Sequence, residues 1–174
     1  MNKHFLVTAL CSTLGLISAS GFALAETVGR YECSIVGSVS QDPVGDRDGH
    51  LLRTVQYSCL GVEGLVKDAV STGASISEWD GSQGKYLSGG AIVRAPAGLA
   101  VSQITEGTGT VVMKDGKPIG ADSSGKVEFK LGLGTLAALS GKLVRFESKP
   151  TGFGRFSIDL TTDGAAATVG TSKQ

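Results

Sequence analysis

The chain has 174 residues, with 16 Lys and Arg set against 16 Asp and Glu. A net charge of zero leaves no electrostatic footprint for nucleic acid or an anionic membrane surface, so neither is expected as a partner. The 26 glycines are scattered among short apolar runs, a pattern that excludes a helical bundle and favours strands joined by tight turns.

Residues 1–25 read as an export signal. Lys3 and His4 form a short basic start, residues 5–17 are apolar and uncharged, and Ala23-Leu24-Ala25 supplies a small-x-small cleavage site, which makes Glu26 the first mature residue. The alternative is an uncleaved anchor, but the apolar run is shorter than the ~20 residues of a spanning helix. Cys11 lies inside that run and follows Ala9-Leu10 rather than a small residue, which argues against a lipidated cysteine. The resulting expectation is a bacterial protein that is periplasmic or secreted, without a stable membrane span after cleavage. Of the three cysteines, Cys33 and Cys59 remain in the mature chain. In an oxidising compartment they are expected to form a disulfide.

In chain order, residues 28–39 alternate, with Tyr31, Cys33 and Ile35 on one face. Residues 51–60 alternate too, with Leu51, Val55, Tyr57 and Cys59 on the apolar face. Arg53 interrupts that face and is expected at a strand end. The cysteines thus sit on the apolar faces of two strands, and bridging neighbours is the simplest arrangement. Residues 41–50, with Asp42-Pro43, Asp46 and Asp48-Gly49, predict an irregular polar loop. Residues 62–70 fit either a short helix or a strand. Further strands are predicted over 74–79, 85–94, 99–104, 110–114, 126–131, 143–148 and 153–160. Glu106-Gly107, Asp115-Gly116, Ser124-Gly125 and Ser140-Gly141 are among the turns between them. Asp115-Gly116 is the sharpest hairpin signal, because a type I′ turn needs positive φ twice.

The fold class expected is all-β: a single antiparallel barrel of eight or nine short strands, with a β-sandwich as the alternative and room for one short helix. The domain would occupy residues 26–161, followed by a loose tail over 162–174. The mature chain keeps only eight aromatic residues, too few for the girdles of an outer-membrane barrel.

The run Lys130-Leu131-Gly132-Leu133-Gly134-Thr135-Leu136-Ala137-Ala138-Leu139-Ser140-Gly141-Lys142 resembles a Gly-rich turn found late in allene oxide cyclase and dirigent barrels, small lipocalin-like β-barrels with an apolar interior. The resemblance implies a barrel and carries over no catalytic residue. The same glycines fit the dinucleotide pattern G-x-G-x-x-[GA], but no second βαβ strand with a ribose-binding acid follows. No cofactor is expected.

Asp46-Arg47-Asp48-Gly49 matches the middle of a calcium loop, yet Val44 and Val55 would occupy its first and last ligand positions. A non-EF-hand site from Asp42, Asp46 and Asp48 is the minority reading beside a solvated acidic turn, and no metal is assigned. His50, the only histidine of the mature chain, is expected to be exposed. Trp79 lies between Glu78 and Asp80 and is expected to plug the core at a strand end, with the two acids on the opposite face. Arg94, Arg145 and Arg155 lie in or beside strands, where one turned inward would suit an anionic headgroup.

The leading functional expectation is an exported β-barrel that binds a small, mainly apolar ligand. Tyr31, Tyr57 and Trp79 are the candidate lining residues, and no catalytic residue is assigned. One alternative is a filled-core interaction domain acting through its surface loops. The other is a motif-poor barrel enzyme such as a cyclase, with Glu63, Glu78 or Asp80 at an apolar mouth. Oligomeric state has no signature in the sequence.

Overall fold

The computed structural model describes residues 26–162. Residues 1–25, read from the sequence as an export signal, and residues 163–174 of the expected tail lie outside the described residues. Nine antiparallel strands follow in order: β1 (Thr27–Ile35), β2 (Ser40–Pro43), β3 (His50–Gly64), β4 (Val70–Asp80), β5 (Gln83–Ala95), β6 (Gly98–Lys114), β7 (Lys117–Gly134), β8 (Leu143–Gly152) and β9 (Arg155–Thr162). A 3-10 turn, Ala137–Leu139, lies between β7 and β8.

From β3 to β9 each strand pairs with the next, and β1 pairs with both β9 and β3, so the sheet closes in a ring. β2 pairs with residues 51–54 of β3 and β1 with residues 57–64, so the two lie end to end along one edge. The ring is not a regular barrel. Its register shifts within several pairs, and the β5–β6 ladder is interrupted between Lys85–Thr108 and Gly90–Gln103. The shift opposite Ile76/Ser77 lets β5 turn Tyr86 inward on one side and Ala91 and Val93 inward on the other.

Cys33 and Cys59 lie directly opposite each other in the β1–β3 ladder and are bonded, with their Cα atoms 4.0 Å apart. The cross-link therefore sits on the seam that closes the ring.

Two expected turns are continuous strand. Glu106-Gly107 lies within β6 and Ser124-Gly125 within β7, and Gly107 pairs with Gly125. A Cβ on Gly125 would meet Glu106 O at 2.1 Å and Phe146 Cε1 at 2.8 Å, and one on Gly107 would meet Tyr86 Cδ2 at 2.8 Å. These glycines thin the sheet where the rings of Tyr86 and Phe146 pack edge to face, centroids 5.9 Å apart. The strands are accordingly long, 17 and 18 residues for β6 and β7, rather than short. Asp115-Gly116 is the hairpin expected, with φ of 51° and 74°. Residues 41–43 of the predicted polar stretch belong to β2, and Thr162 belongs to β9, one residue beyond the predicted domain. Residues 62–70 finish β3, turn, and enter β4 without a helix.

The two ends of the ring differ. At the end holding the β3–β4 and β7–β8 connections, Val66, Ala69, Leu136 and Leu139 are buried and join Val28, Ala100, Phe129 and Val144 in a sealed core. The 3-10 turn of the Gly-rich run is thus a plug. The opposite end carries the β4–β5, β6–β7 and β8–β9 hairpins and the segment between β1 and β3.

Breaking the Cys33–Cys59 bond releases a loop with a sequence separation of 26, a change worth about 3–4 kcal/mol by chain entropy. Urea unfolding with and without reductant should show that loss, and an unchanged midpoint would show that the cross-link adds nothing. Gly125→Val should cost about 1–3 kcal/mol through overpacking, measured by thermal unfolding; a wild-type melting temperature would disprove the close approach at Gly107.

Candidate functional site

A cavity of about 160 Å³ opens inside the ring, bordered by residues from every strand except β2. Its existence follows from β4. The inward positions of that strand are Ser71, Gly73, Ser75 and Ser77 before Trp79, side chains too small to reach across the ring. The three serines are buried, and all three border the cavity. The opposing walls are aromatic: Tyr57 packs edge to face on Phe156 at 6.0 Å, beside the Tyr86–Phe146 pair.

Trp79 closes one side near the hairpin end. Its ring lies against Gly84 of β5, where a Cβ would fall 2.5 Å from the indole, and its Nε1–H donates to Ser77 Oγ at 2.8 Å. The Arg53 guanidinium carbon sits 5.7 Å from the Trp79 ring centroid, within the range of a cation–π contact. Arg53 is the fourth residue of β3 and takes the inward phase shared by Val55, Tyr57 and Cys59. Burial draws its pKa below that of an ordinary arginine, with Tyr86 acting the other way. Its Nε is buried without a hydrogen-bond partner. Arg155 also borders the cavity, from an exposed position at the start of β9.

The hydroxyls of Tyr31 and Tyr57 are held protonated. Burial, aided by Tyr86, pushes Tyr57 up to about 12, and burial, aided by Tyr57, pushes Tyr31 higher still. The Tyr31 hydroxyl is buried without a partner. Among the described residues no Asp, Glu, Lys or His borders the cavity. What the interior offers a bound molecule is therefore aromatic surface, hydroxyl groups and guanidinium, rather than a group that exchanges protons near neutrality.

The sequence candidates fall into two places. Tyr31, Tyr57 and Trp79 all border the cavity, and Cys59 contributes the disulfide to its wall. Glu78 and Asp80 lie on the outer face of β4, and Glu63 is exposed, so none of the three carboxylates flanks the cavity. Arg53, read as a strand-end interruption, faces inward. The Ser71, Ser75 and Ser77 wall was missed because buried serines look like a solvent face in an alternation pattern; Trp79 sharing their phase was the available signal.

His50 corrects another expectation. It is buried, only 7% exposed, on the outer face beneath the loop that precedes β3. Its Nδ1 meets Asp46 and its Nε2 lies 2.7 Å from Glu78 Oε1. A neutral imidazole has one N–H and can satisfy only one carboxylate, so the doubly protonated ring is favoured. The hydrogen bond to Asp46, then that to Glu78, raises the His50 pKa, and the His50 contact in turn lowers that of Asp46. Arg47 completes the cluster with ion pairs to Asp46 at 2.7 Å and Asp80 at 2.8 Å. These contacts pin the loop to β4. Among the described residues no group of His, Cys, Asp and Glu is placed to hold a metal ion, and Asp46 is committed to His50 and Arg47 rather than to Asp42 and Asp48.

The raised His50 pKa fixes a sign. Its contribution to stability is full below the ordinary histidine value and is lost as pH rises through the folded-state value; that of Asp46 is present above the ordinary carboxylate value and is lost as pH falls through its lowered one. NMR titration should place His50 above the ordinary value of about 6.5, and His50→Gln should remove the alkaline part of the stability change. A His50 pKa at or below the ordinary value would show that the two carboxylates do not hold it. No protein-family model, curated protein or solved structure matches this chain.

Proposed function

We propose that this protein is an exported binding protein that takes up a small, mainly apolar ligand inside the ring. The observation that carries the reading is a cavity of about 160 Å³ walled by Tyr57, Trp79, Tyr86, Phe146 and Phe156 while small residues face it from β4. A ring of this circumference is wide enough to be filled by its own side chains or to hold one small molecule. Here β4 does not fill it. A cavity of about 150 Å³ accommodates a benzene-sized guest, so the ligand body is one ring or a short branched chain. Export is part of the same reading, supported by residues 1–25 and by the disulfide.

The rival interaction-domain reading would act through an outer surface. Phe153, at the tip of the β8–β9 hairpin, is 95% exposed, and Leu60 and Val70, paired across β3 and β4, are exposed on the outer face. The loop over 44–49 is tied down by His50 and Arg47 rather than presented to a partner.

Titrating the oxidised protein with toluene and following methyl NMR signals tests the reading. The signals of Ala91, Val93 and Ile104, on the cavity wall, should shift in a saturable manner while those of outward-facing Leu87 and Val70 stay. Ser75→Leu places a branched chain in the cavity and should abolish the shifts while keeping the fold. Absence of saturable shifts at the inner residues would overturn the proposal.

A further inference from the structure

We propose that the ligand is a small apolar anion, a ring-bearing carboxylate, whose charge is held by Arg53. This rests on the binding reading above and narrows it to a ligand class.

Three observations converge. First, Arg53 is an inward-facing cation without a counterion: among the described residues no carboxylate pairs with it, and its Nε is a buried donor with no acceptor. Arg53 is partly buried, and a desolvated cationic group without a partner is the arrangement an incoming anion would relieve. Second, the charges on the cavity wall are of one sign. Arg53 and Arg155 border it, and among the described residues no Asp, Glu, Lys or His does, so the interior attracts an anion and repels a cation. Third, the hydroxyl nearest the Trp79 side of Arg53 is engaged elsewhere. Ser77 Oγ accepts from Trp79 Nε1 and donates to the Arg53 carbonyl oxygen at 3.4 Å, so it does not occupy the guanidinium fork.

The chemistry of the head and the body follows from these neighbours. A planar guanidinium matches the two oxygens of a carboxylate in a bidentate pair, which an alcohol or an amide cannot reproduce. The Trp79 indole beside Arg53 and the edge-to-face rings of Tyr57 and Phe156 offer flat apolar surface to a ring attached to that head. A volume of about 160 Å³ limits the body to about one six-membered ring. Arg155, more exposed, adds positive potential without being buried.

Binding of benzoate and of benzamide, its uncharged counterpart, to the oxidised protein decides the matter when measured by Trp79 fluorescence and calorimetry at low and high salt. Benzoate should bind at least about tenfold more tightly than benzamide, an advantage of about 1.4 kcal/mol, and that advantage should shrink with salt. Arg53→Gln should bring benzoate down to the benzamide level with little change in benzamide, and Arg53→Lys should restore part of the difference. Near-UV circular dichroism establishes that each variant keeps its aromatic packing; should Arg53→Gln not fold, the wild-type comparison and Arg53→Lys carry the test. Equal binding of the two compounds would overturn the anion assignment and leave the apolar-cavity reading standing. A benzoate preference that survives Arg53→Gln would remove Arg53 from the role. If neither compound nor toluene binds, the cavity reading falls and the anion assignment falls with it.

Discussion

The pairing of β1 with β3 is the contact on which the rest of the structure depends. β3 to β9 form a simple succession of neighbours that would, by itself, be an open curved sheet with two raw edges. β1 lies between those edges, with one ladder to β9 and one to β3. Both edges are thereby satisfied, and the inward faces of all the strands are taken from water together. The β1–β9 ladder joins the two ends of the domain, as in Thr27 with Thr161, so its formation carries the larger loop-closure cost. The Cys33–Cys59 bond, with a sequence separation of 26, fixes the other side of β1, its ladder to β3. β2 itself is left with a free edge. It is four residues long, fully exposed and ends in Asp42-Pro43, features that keep an edge from recruiting another strand.

Closure creates an interior, and side-chain size divides it. At the plugged end, Leu136, Leu139, Val66 and Val144 fill the space, and the main-chain turns over 64–69 and 135–142 cover it. Toward the hairpin end the same ring carries serine and glycine along β4, and the aromatic residues opposite cannot cross the remaining gap. Apolar residues at Ser71 and Ser75 would bury more apolar surface, a gain of about 25 cal/mol per Å², whereas Ser77 is needed to accept from the buried Trp79 Nε1–H. The sequence instead keeps hydroxyls there and places a guanidinium among them. Room and polarity of this kind are what the proposed binding reading calls for.

Much of this was legible in the residues, and the parts that were not have physical reasons. Alternation over β1 and β3 put Tyr31, Cys33, Tyr57 and Cys59 on one face, and that periodicity determines the disulfide register. Asp115-Gly116 announced its hairpin because only a few residues tolerate two consecutive positive φ values. Gly107 and Gly125 were misread as turns. A glycine that lets two backbones and two rings approach is identical in sequence to one that turns the chain, and only the Tyr86–Phe146 pair across the ring distinguishes them. His50 was misplaced because its environment is assembled at a distance: Glu78 arrives from β4, 28 positions along the chain, and buries the imidazole on the outer face.

Arg53 shows why the candidate site was harder to read than the fold. Arginine within an alternating strand usually lies on the wet face or at an end, and the fourth residue of β3 invites that interpretation. The phase of Val55, Tyr57 and Cys59 nevertheless extends back through it, and a strand cannot turn one residue outward without a bulge; the β3–β4 ladder runs unbroken from His50 to Leu60. The guanidinium is therefore carried inside by register. The packing of the other residues fixes its direction, and its own hydrophobicity has no say. Among the described residues nothing within the protein neutralises it. The cation–π contact with Trp79 is a partial compensation, worth on the order of 0.5–2 kcal/mol, against a desolvation cost of several kcal/mol for a buried ion. Arg53 is only partly buried, which tempers that cost, and the proposed anion would relieve what remains.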